Sequence, residues 1–241
     1  MNIALILSGG SGVRVGSSIP KQYVEVAGRP IITYCIKTLS AHEAVDVIWI
    51  VAEKEWQEKI IAWLKMFGLE AKVQGFSLPG ENRQLSILNG LEDITVFAKE
   101  EDYVMIHDAA RPCLSTQMIT ECFEGIVGHD GVLPVLPMKD TVYLSKDGRI
   151  ITSLLDRQQI FAGQAPEVFV LGKYLEANRR LLTTECENAD GKKQSAIMTI
   201  NGSTEPAILA GLDVAMIPGE EANFKITTKE DLERFRKIVE G

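Results

Sequence analysis

Short apolar runs alternate along this chain with segments of helical periodicity, and that alternation restricts the fold more than any other feature. The runs are "IALIL" (3–7), "VDVIWIVA" (45–52), "AKVQGF" (71–76), "DYVMIHDA" (102–109) and "GVLPVLPM" (131–138). The first is uninterrupted, as a strand covered on both faces must be. Between them, 30–41 repeats Ile31, Tyr34, Cys35 and Leu39 at helical spacing. Further helices are expected over 55–68, stopped by Gly68, over 81–94, and over 115–127 with Ser115 or Thr116 as N-cap. Strand–helix alternation with short connections predicts an α/β fold: a doubly wound, mostly parallel sheet with right-handed crossovers. Such sheets bind ligands beyond the carboxyl ends of their strands. A glycine loop after residue 7 and Asp108 both fall at strand ends.

After residue 138 the pattern changes. "DTVYLSKDGRIITSLLDR" (140–157) places two alternating runs around "KDG", the signal of a β-hairpin. Helix resumes over 172–182, and the polar stretch 183–196 is expected to be loose. A last strand, 212–219, precedes a closing helix, 228–241, whose Thr228 and Asp231 suit a capped start. With no internal repeat, the expectation is one domain, 1–241, carrying a protruding β-hairpin arm over 139–158.

Composition excludes some functions. A formal net charge of −8 argues against a nucleic-acid-binding surface, which needs clustered Lys and Arg, but leaves room for a nucleotide in a local basic pocket. The four cysteines form no C-x-x-C pair and read as free thiols of a reducing compartment. No basic n-region precedes the short apolar run at the N-terminus, and no stretch approaches ~18 apolar residues. A cytoplasmic protein that spans no membrane is expected.

The loop "SGGSGVR" departs from two well-known phosphate cradles. A dinucleotide fingerprint needs G-x-G-x-x-G, but Gly10 and Gly12 are followed by Gly16, one residue late. A P-loop needs a Lys that is absent. What remains is S-G-G-S-G-x-R, then Pro20-Lys21-Gln22. Glycines let backbone N–H groups approach phosphate oxygens, and Arg14 and Lys21 supply charge. A plain strand-to-helix turn with two solvated cations is the alternative.

"SGGSGVR…PKQYVEVAGRPII" resembles the signature of sugar-phosphate nucleotidyltransferases, and "PKQY" resembles their cytidylyltransferase branch. "PGENRQLSILNGL" (79–91), "IHDAARPCL" (106–114), "GQAPEVF" (163–169) and "NFKITTKEDL" (223–232) are similar to four further segments of that branch, so the resemblance covers nearly the whole chain. The branch includes the 2-C-methyl-D-erythritol 4-phosphate and the ribitol-5-phosphate cytidylyltransferases. It implies a Rossmann-like nucleotidyltransferase fold, CTP and a polyol phosphate as substrates, Mg²⁺ as cofactor, and a homodimer joined through the arm.

The resemblance also implies roles. Arg14, Lys21 and Lys225 would neutralise the triphosphate during attack on the α-phosphorus, since cations rather than a covalent nucleophile carry such chemistry. Ser8, Gly9, Gly10 and Gly12 would line the phosphates; Gly80, Arg83 and Ser86 would meet the nucleoside. Asp108 would hold Mg²⁺, which takes one or two carboxylates and keeps several waters. Its alternative is a cap on the Ala109-Ala110 turn, and Arg83's is an ordinary exposed helix position. Arg111 either orients Asp108 or touches substrate. Thr141 and Arg157 of the arm would contact the acceptor in a second subunit. His107 alternates with Asp108 along a strand and so faces away, in a structural role.

Three segments depart from the family pattern. A T-D-x-A run is replaced by "INGSTEPAILAG", Ala222 stands where an acidic residue often precedes N-I-K, and "GQAPE" replaces "GQTPQ". "PMKDTVY" and "LLDR" favour a methylerythritol phosphate acceptor, and with it isoprenoid biosynthesis. "FAGQ" favours ribitol phosphate, for wall or capsule polymers. A nicotinamide-dependent oxidoreductase would need an acidic residue roughly 20 positions past the glycine loop, and Glu25 is too close. A catalytically inactive nucleotide-binding protein of the same fold is the remaining alternative.

Overall fold

The computed structural model describes residues 1–10, 19–187 and 190–241. The first half runs β1 (Asn2–Leu7), β2 (Glu25–Val26), β3 (Arg29–Pro30), α1 (Ile32–Ala41), β4 (Val47–Val51), α2 (Lys54–Phe67), β5 (Val73–Ser77), α3 (Arg83–Ile94), β6 (Tyr103–Asp108), α4 (Thr116–Gly125) and β7 (Gly131–Pro137). The second half adds β8 (Val142–Leu144), β9 (Ser153–Leu155), β10 (Phe161–Gly163), β11 (Glu167–Val170), α5 (Leu171–Thr183), β12 (Glu185–Glu187), β13 (Lys193–Ser195), α6 (Glu205–Leu209), β14 (Val214–Pro218) and α7 (Lys229–Glu240).

Eight strands form the main sheet in the order β5-β4-β1-β6-β11-β7-β10, with β14 on the open side of β7. The pairs β5–β4, β4–β1, β1–β6 and β7–β14 are parallel. β11 runs antiparallel between β6 and β7, and β10 runs antiparallel on β7. The mostly parallel, doubly wound α/β sheet is therefore as expected.

Strand alternation separates two cores. Ala4, Ile6, Ile48 and Ile50 pack with α1, α2 and α4 through Ile36, Ile60 and Met118. Ile3, Leu5, Val47 and Ile106 pack on the other face with α3 and α5 through Ile87, Leu91 and Tyr174. Each fully buried Ile or Leu contributes roughly 1.5–3 kcal/mol relative to exposure. A third, smaller cluster seats α7 against Val26 and Ile31 through Leu232 and Phe235.

Helix boundaries follow local chemistry. Ser115 accepts from the Met118 N–H and caps α4, Thr228 and Asp231 form a reciprocal capping box, and Gly68 ends α2 in the left-handed region. Asn82, not Glu81, opens α3 by accepting from the Leu85 N–H.

The structure corrects three expectations. The helix expected from residue 30 starts at Ile32, because 25–30 form the β2–β3 ribbon, turned by Ala27 and Gly28 at positive φ. The stretch 183–196 is not loose throughout: β12 pairs with β13, with Cys186 opposite Gln194. Residues 161–170 hold two strands that periodicity over so short a span did not reveal. The arm itself forms as read, with Val142 opposite Leu155 and Leu144 opposite Ser153.

Candidate active site

The carboxyl ends of β1, β4 and β6 open into a cavity of about 630 Å³. Gly9, Gly10 and Lys21 line one side, Gly80, Arg83 and Ser86 another, and Asp108 and Lys225 the floor. These eight were all singled out from sequence. Gly12 and Arg14 lie outside the described residues.

The glycine loop is held from below. Gln22 donates through Nε2 to the carbonyls of Ser8 (2.7 Å) and Gly10 (2.8 Å), and the Tyr23 hydroxyl donates to the Ser8 carbonyl at 3.0 Å. Ser8 in turn donates its hydroxyl to the Tyr23 oxygen at 2.9 Å, so its side chain points into the protein. Tyr23 is itself fixed by stacking on Trp56, ring centroids 4.1 Å apart. The P-K-Q-Y run thus clamps the loop with Gln22 and Tyr23 while Lys21 faces the cavity. Gln22 and Tyr23 escaped the sequence reading, although they adjoin Lys21.

Two glycines are required by close approach. A Cβ on Gly9 would overlap the Pro79 ring, and one on Gly80 would overlap Leu85. The 79–82 turn therefore lies hard against the start of α3. Ser86 Oγ accepts from the Gly80 N–H (3.0 Å) and donates to the Asn82 carbonyl (2.8 Å), which ties that turn to the helix.

Asp108 is buried at the end of β6 among cations from three separate segments. Arg83 of α3 donates to Oδ1 at 3.1 Å; Lys225 Nζ lies 2.9 Å from Oδ2; Arg111 Nε lies 3.6 Å from Oδ2. Burial would raise the carboxyl's pKa, but Arg83, Lys225 and then Arg111 overwhelm it and hold Asp108 far below the usual carboxylate range. It is an anion at every working pH. The cap reading of Asp108 and the plain exposed-helix reading of Arg83 both give way to this cluster. Arg111 lies beside Asp108 and is not among the residues that line the cavity.

Lys225 reaches the cluster because its segment is zipped along the residues after β6. The Ile226 N–H donates to the Ala110 carbonyl at 2.9 Å, and Arg111 donates to the Asn223 carbonyl at 2.6 Å. Asn223, fully buried, donates to the Ala165 carbonyl at 2.8 Å. His107 faces the opposite side of the sheet, fully buried, with Nε2 3.1 Å from the Arg111 carbonyl. Burial drives its pKa down to about 4, so the imidazole is neutral. It is structural, as expected.

The arm residues Thr141 and Arg157 do not line this cavity within one chain. Thr141 is exposed, and Arg157 donates to the Lys139 carbonyl at 2.8 Å, at the base of the arm. All four cysteines are free, and burial pushes the Cys35 and Cys122 thiols up to about 12, which leaves them unreactive. No helix among the described residues is long and apolar enough to cross a membrane.

Comparison with known proteins bears on the chain as a whole. A curated 2-C-methyl-D-erythritol 4-phosphate cytidylyltransferase of Lachnospira eligens is 34% identical over 236 residues, covering 97% of this chain and 96% of its own. A ribitol-5-phosphate cytidylyltransferase of Streptococcus agalactiae is 30% identical over 245 residues, covering 100% of this chain and 96% of its own. In fold, the crystal structure of 4-diphosphocytidyl-2C-methyl-D-erythritol synthase from Anaerococcus prevotii superposes with a TM-score of 0.81 at 21% identity, over 100% of this chain and 96% of that one. The family model for 2-C-methyl-D-erythritol 4-phosphate cytidylyltransferase matches residues 2–241, and this chain belongs to that family.

Proposed function

We propose that the cavity holds CTP with its triphosphate between the Gly9–Gly10 loop and the Arg83–Asp108–Lys225 cluster, and that 2-C-methyl-D-erythritol 4-phosphate is the acceptor. As a family member the chain is a cytidylyltransferase: it joins CMP to a polyol phosphate and releases pyrophosphate. The observation that carries the placement is Asp108, buried among three cations beneath a glycine loop.

In this reading an acceptor phosphate oxygen attacks the α-phosphorus while charge moves to the nonbridging and leaving oxygens. No protein nucleophile is needed; fixed positive charge in a partly enclosed site lowers the barrier. Lys225 and Lys21 both line the cavity and would meet the reacting phosphate. Asp108 holds Lys225 and Arg83 in place before substrate arrives, so the cations are not reorganised during reaction.

The donor set also fits Mg²⁺. Asp108 lines the cavity, and its two oxygens, with about four lone pairs, face three cationic partners. One carboxylate suits an ion whose remaining ligands are phosphates and waters. When bound, Mg²⁺ would neutralise phosphate charge there.

The arm supports a homodimer. Tyr143, Leu144, Ile150, Ile151 and Leu154 expose their apolar side chains on it, and an isolated hairpin is marginal in water. Packed on a second subunit, it would bring Thr141 and Arg157 to that subunit's acceptor. A cytoplasmic setting suits these substrates.

Ribitol 5-phosphate is the second reading, favoured by the relatives of that name at 30% identity. The deciding test is pyrophosphate release from CTP with Mg²⁺, using each acceptor in parallel. Preference for methylerythritol phosphate supports the proposal; preference for ribitol phosphate replaces its acceptor; release with neither overturns it.

A further inference from the structure

Glu167 is a buried carboxylate that the reaction as described does not use. It opens β11 and is only 8% exposed. It sits opposite Ile106 of β6, and Asp108 lies two residues further along the same face of the sheet. Such diagonal neighbours have Cα atoms roughly 7–8 Å apart, within the span of long side chains. Two carboxylates therefore lie on the face from which Arg83 approaches.

Hydrogen bonding ties Glu167 to the helix that carries Arg83. The Ser203 hydroxyl, 2% exposed, donates to Glu167 Oε2. The Ser203 carbonyl accepts from the Tyr174 hydroxyl at 2.6 Å, and that hydroxyl accepts from Gln84 Nε2 at 3.2 Å. Gln84 follows Arg83 in the first turn of α3. Two of the departures from the family pattern, Glu167 of "GQAPE" and Ser203 of "INGSTEPAILAG", thus meet in one hydrogen bond.

The charges nearby need a second anion. Arg83, Arg111 and Lys225 surround a single carboxylate, so the cluster without Glu167 carries a surplus of two positive charges. Arg83 Nη1 and Arg111 Nε are buried with no hydrogen-bond acceptor. Burial, and to a lesser degree the Asp108 carboxylate, push the Glu167 pKa up against the pull of Arg83, the Ser203 hydroxyl and Arg111; the unpaired Arg83 Nη1 and Arg111 Nε are what call for an anion on this face.

We propose that Glu167 is a positioning residue: a buried counter-charge that acts through Arg83 and Arg111, offsets their mutual repulsion and tempers how tightly the cluster holds phosphates. This rests on the reading of the cavity as the CTP site. Over-tight binding of substrate and of pyrophosphate does not speed the chemical step and slows product release. A modest surplus of positive charge is therefore better than a large one.

The test is Glu167→Gln, which keeps shape and removes charge. The expected result is that KM for CTP and the inhibition constant of pyrophosphate both fall several-fold while kcat falls about tenfold. Calorimetric titration with pyrophosphate should show the same tightening without turnover. Structural damage would instead raise KM or reduce the active fraction at constant KM. Ser203→Ala keeps the carboxylate but removes the donor that favours its charged form, so it should shift the constants the same way by less. It carries the test if the glutamine variant does not fold. Constants within twofold of wild type, or a raised KM, would overturn the proposal. Wild type that neither binds nor turns over CTP would defeat the site reading instead, which keeps the two failures distinct.

Discussion

Arg83 and Asp108 are 25 positions apart in sequence, yet Arg83 Nη2 lies 3.1 Å from Asp108 Oδ1. The contact joins the first turn of α3 to the carboxyl end of the central strand β6. It places a guanidinium and a buried carboxylate under the glycine loop, and it makes Asp108 the centre of charge for the whole site.

Asp108→Asn should therefore lose activity on the order of 10²- to 10³-fold in kcat, the scale seen when a preorganised electrostatic group is removed. Three cations would face a neutral amide, so stability should fall as well, by roughly 3–5 kcal/mol if the cluster cannot relax. Pyrophosphate release and urea unfolding measure the two effects. Turnover within threefold of wild type would remove Asp108 from the mechanism.

Lys225→Met separates charge from structure. Its ammonium is partly exposed and faces the cavity, so the fold should tolerate the loss while kcat/KM for CTP drops at least tenfold. Steady-state kinetics beside a thermal melt would check this. A large fall in melting temperature with unchanged kinetics would mean that Lys225 serves only to balance Asp108.

Acid should weaken the fold before Asp108 titrates. His107 has a folded pKa of about 4 against an ordinary value of 6.5. Between those values the unfolded chain binds more protons, so stability rises with pH there. This contribution is intact above pH 6.5 and is lost progressively as pH falls toward 4. At roughly 1.4 kcal/mol per pH unit, the loss from pH 7.5 to 5 is about 2 kcal/mol. Denaturant midpoints for wild type and His107→Asn should show the slope in the first and a flatter profile in the second. Equal slopes would assign the acid sensitivity elsewhere.

Leu154→Asp places a charge among the exposed apolar residues of the arm. If the arm packs on a second subunit, sedimentation should show a shift from dimer to monomer and turnover should fall with it. A monomeric wild type of full activity would refute the arm's proposed role.

Much of the site was legible because its residues fall in short contiguous runs. "SGG", "PKQ", "GENR" and "HDAAR" are local patterns at strand or helix ends, and Gly9, Gly10, Lys21, Gly80, Arg83 and Asp108, picked from them, converge on one cavity. Residues that act from behind the cavity were less visible. Gln22 and Tyr23 matter through hydrogen bonds to Ser8 and Gly10, and nothing about a Gln-Tyr pair announces which backbone it will meet. Asn82 is a recognisable N-cap three residues before Leu85 and could have been read. β10 and β11 were missed because three- and four-residue strands carry too few side chains to show a period of two.

By itself the sequence determined the alternation of strands and helices, hence the parallel sheet, the strand ends that hold the glycine loop and Asp108, and the arm as a hairpin. Those properties are local: periodicity, capping and turn chemistry act within a few residues. Only the tertiary structure decided that β11 inserts antiparallel between β6 and β7, that the 223–226 segment lies along 110–111, and that Lys225, Arg83 and Arg111 meet on one carboxylate. Those depend on which face each element buries and on how buried charges find partners, and both are settled by packing across more than a hundred residues of chain.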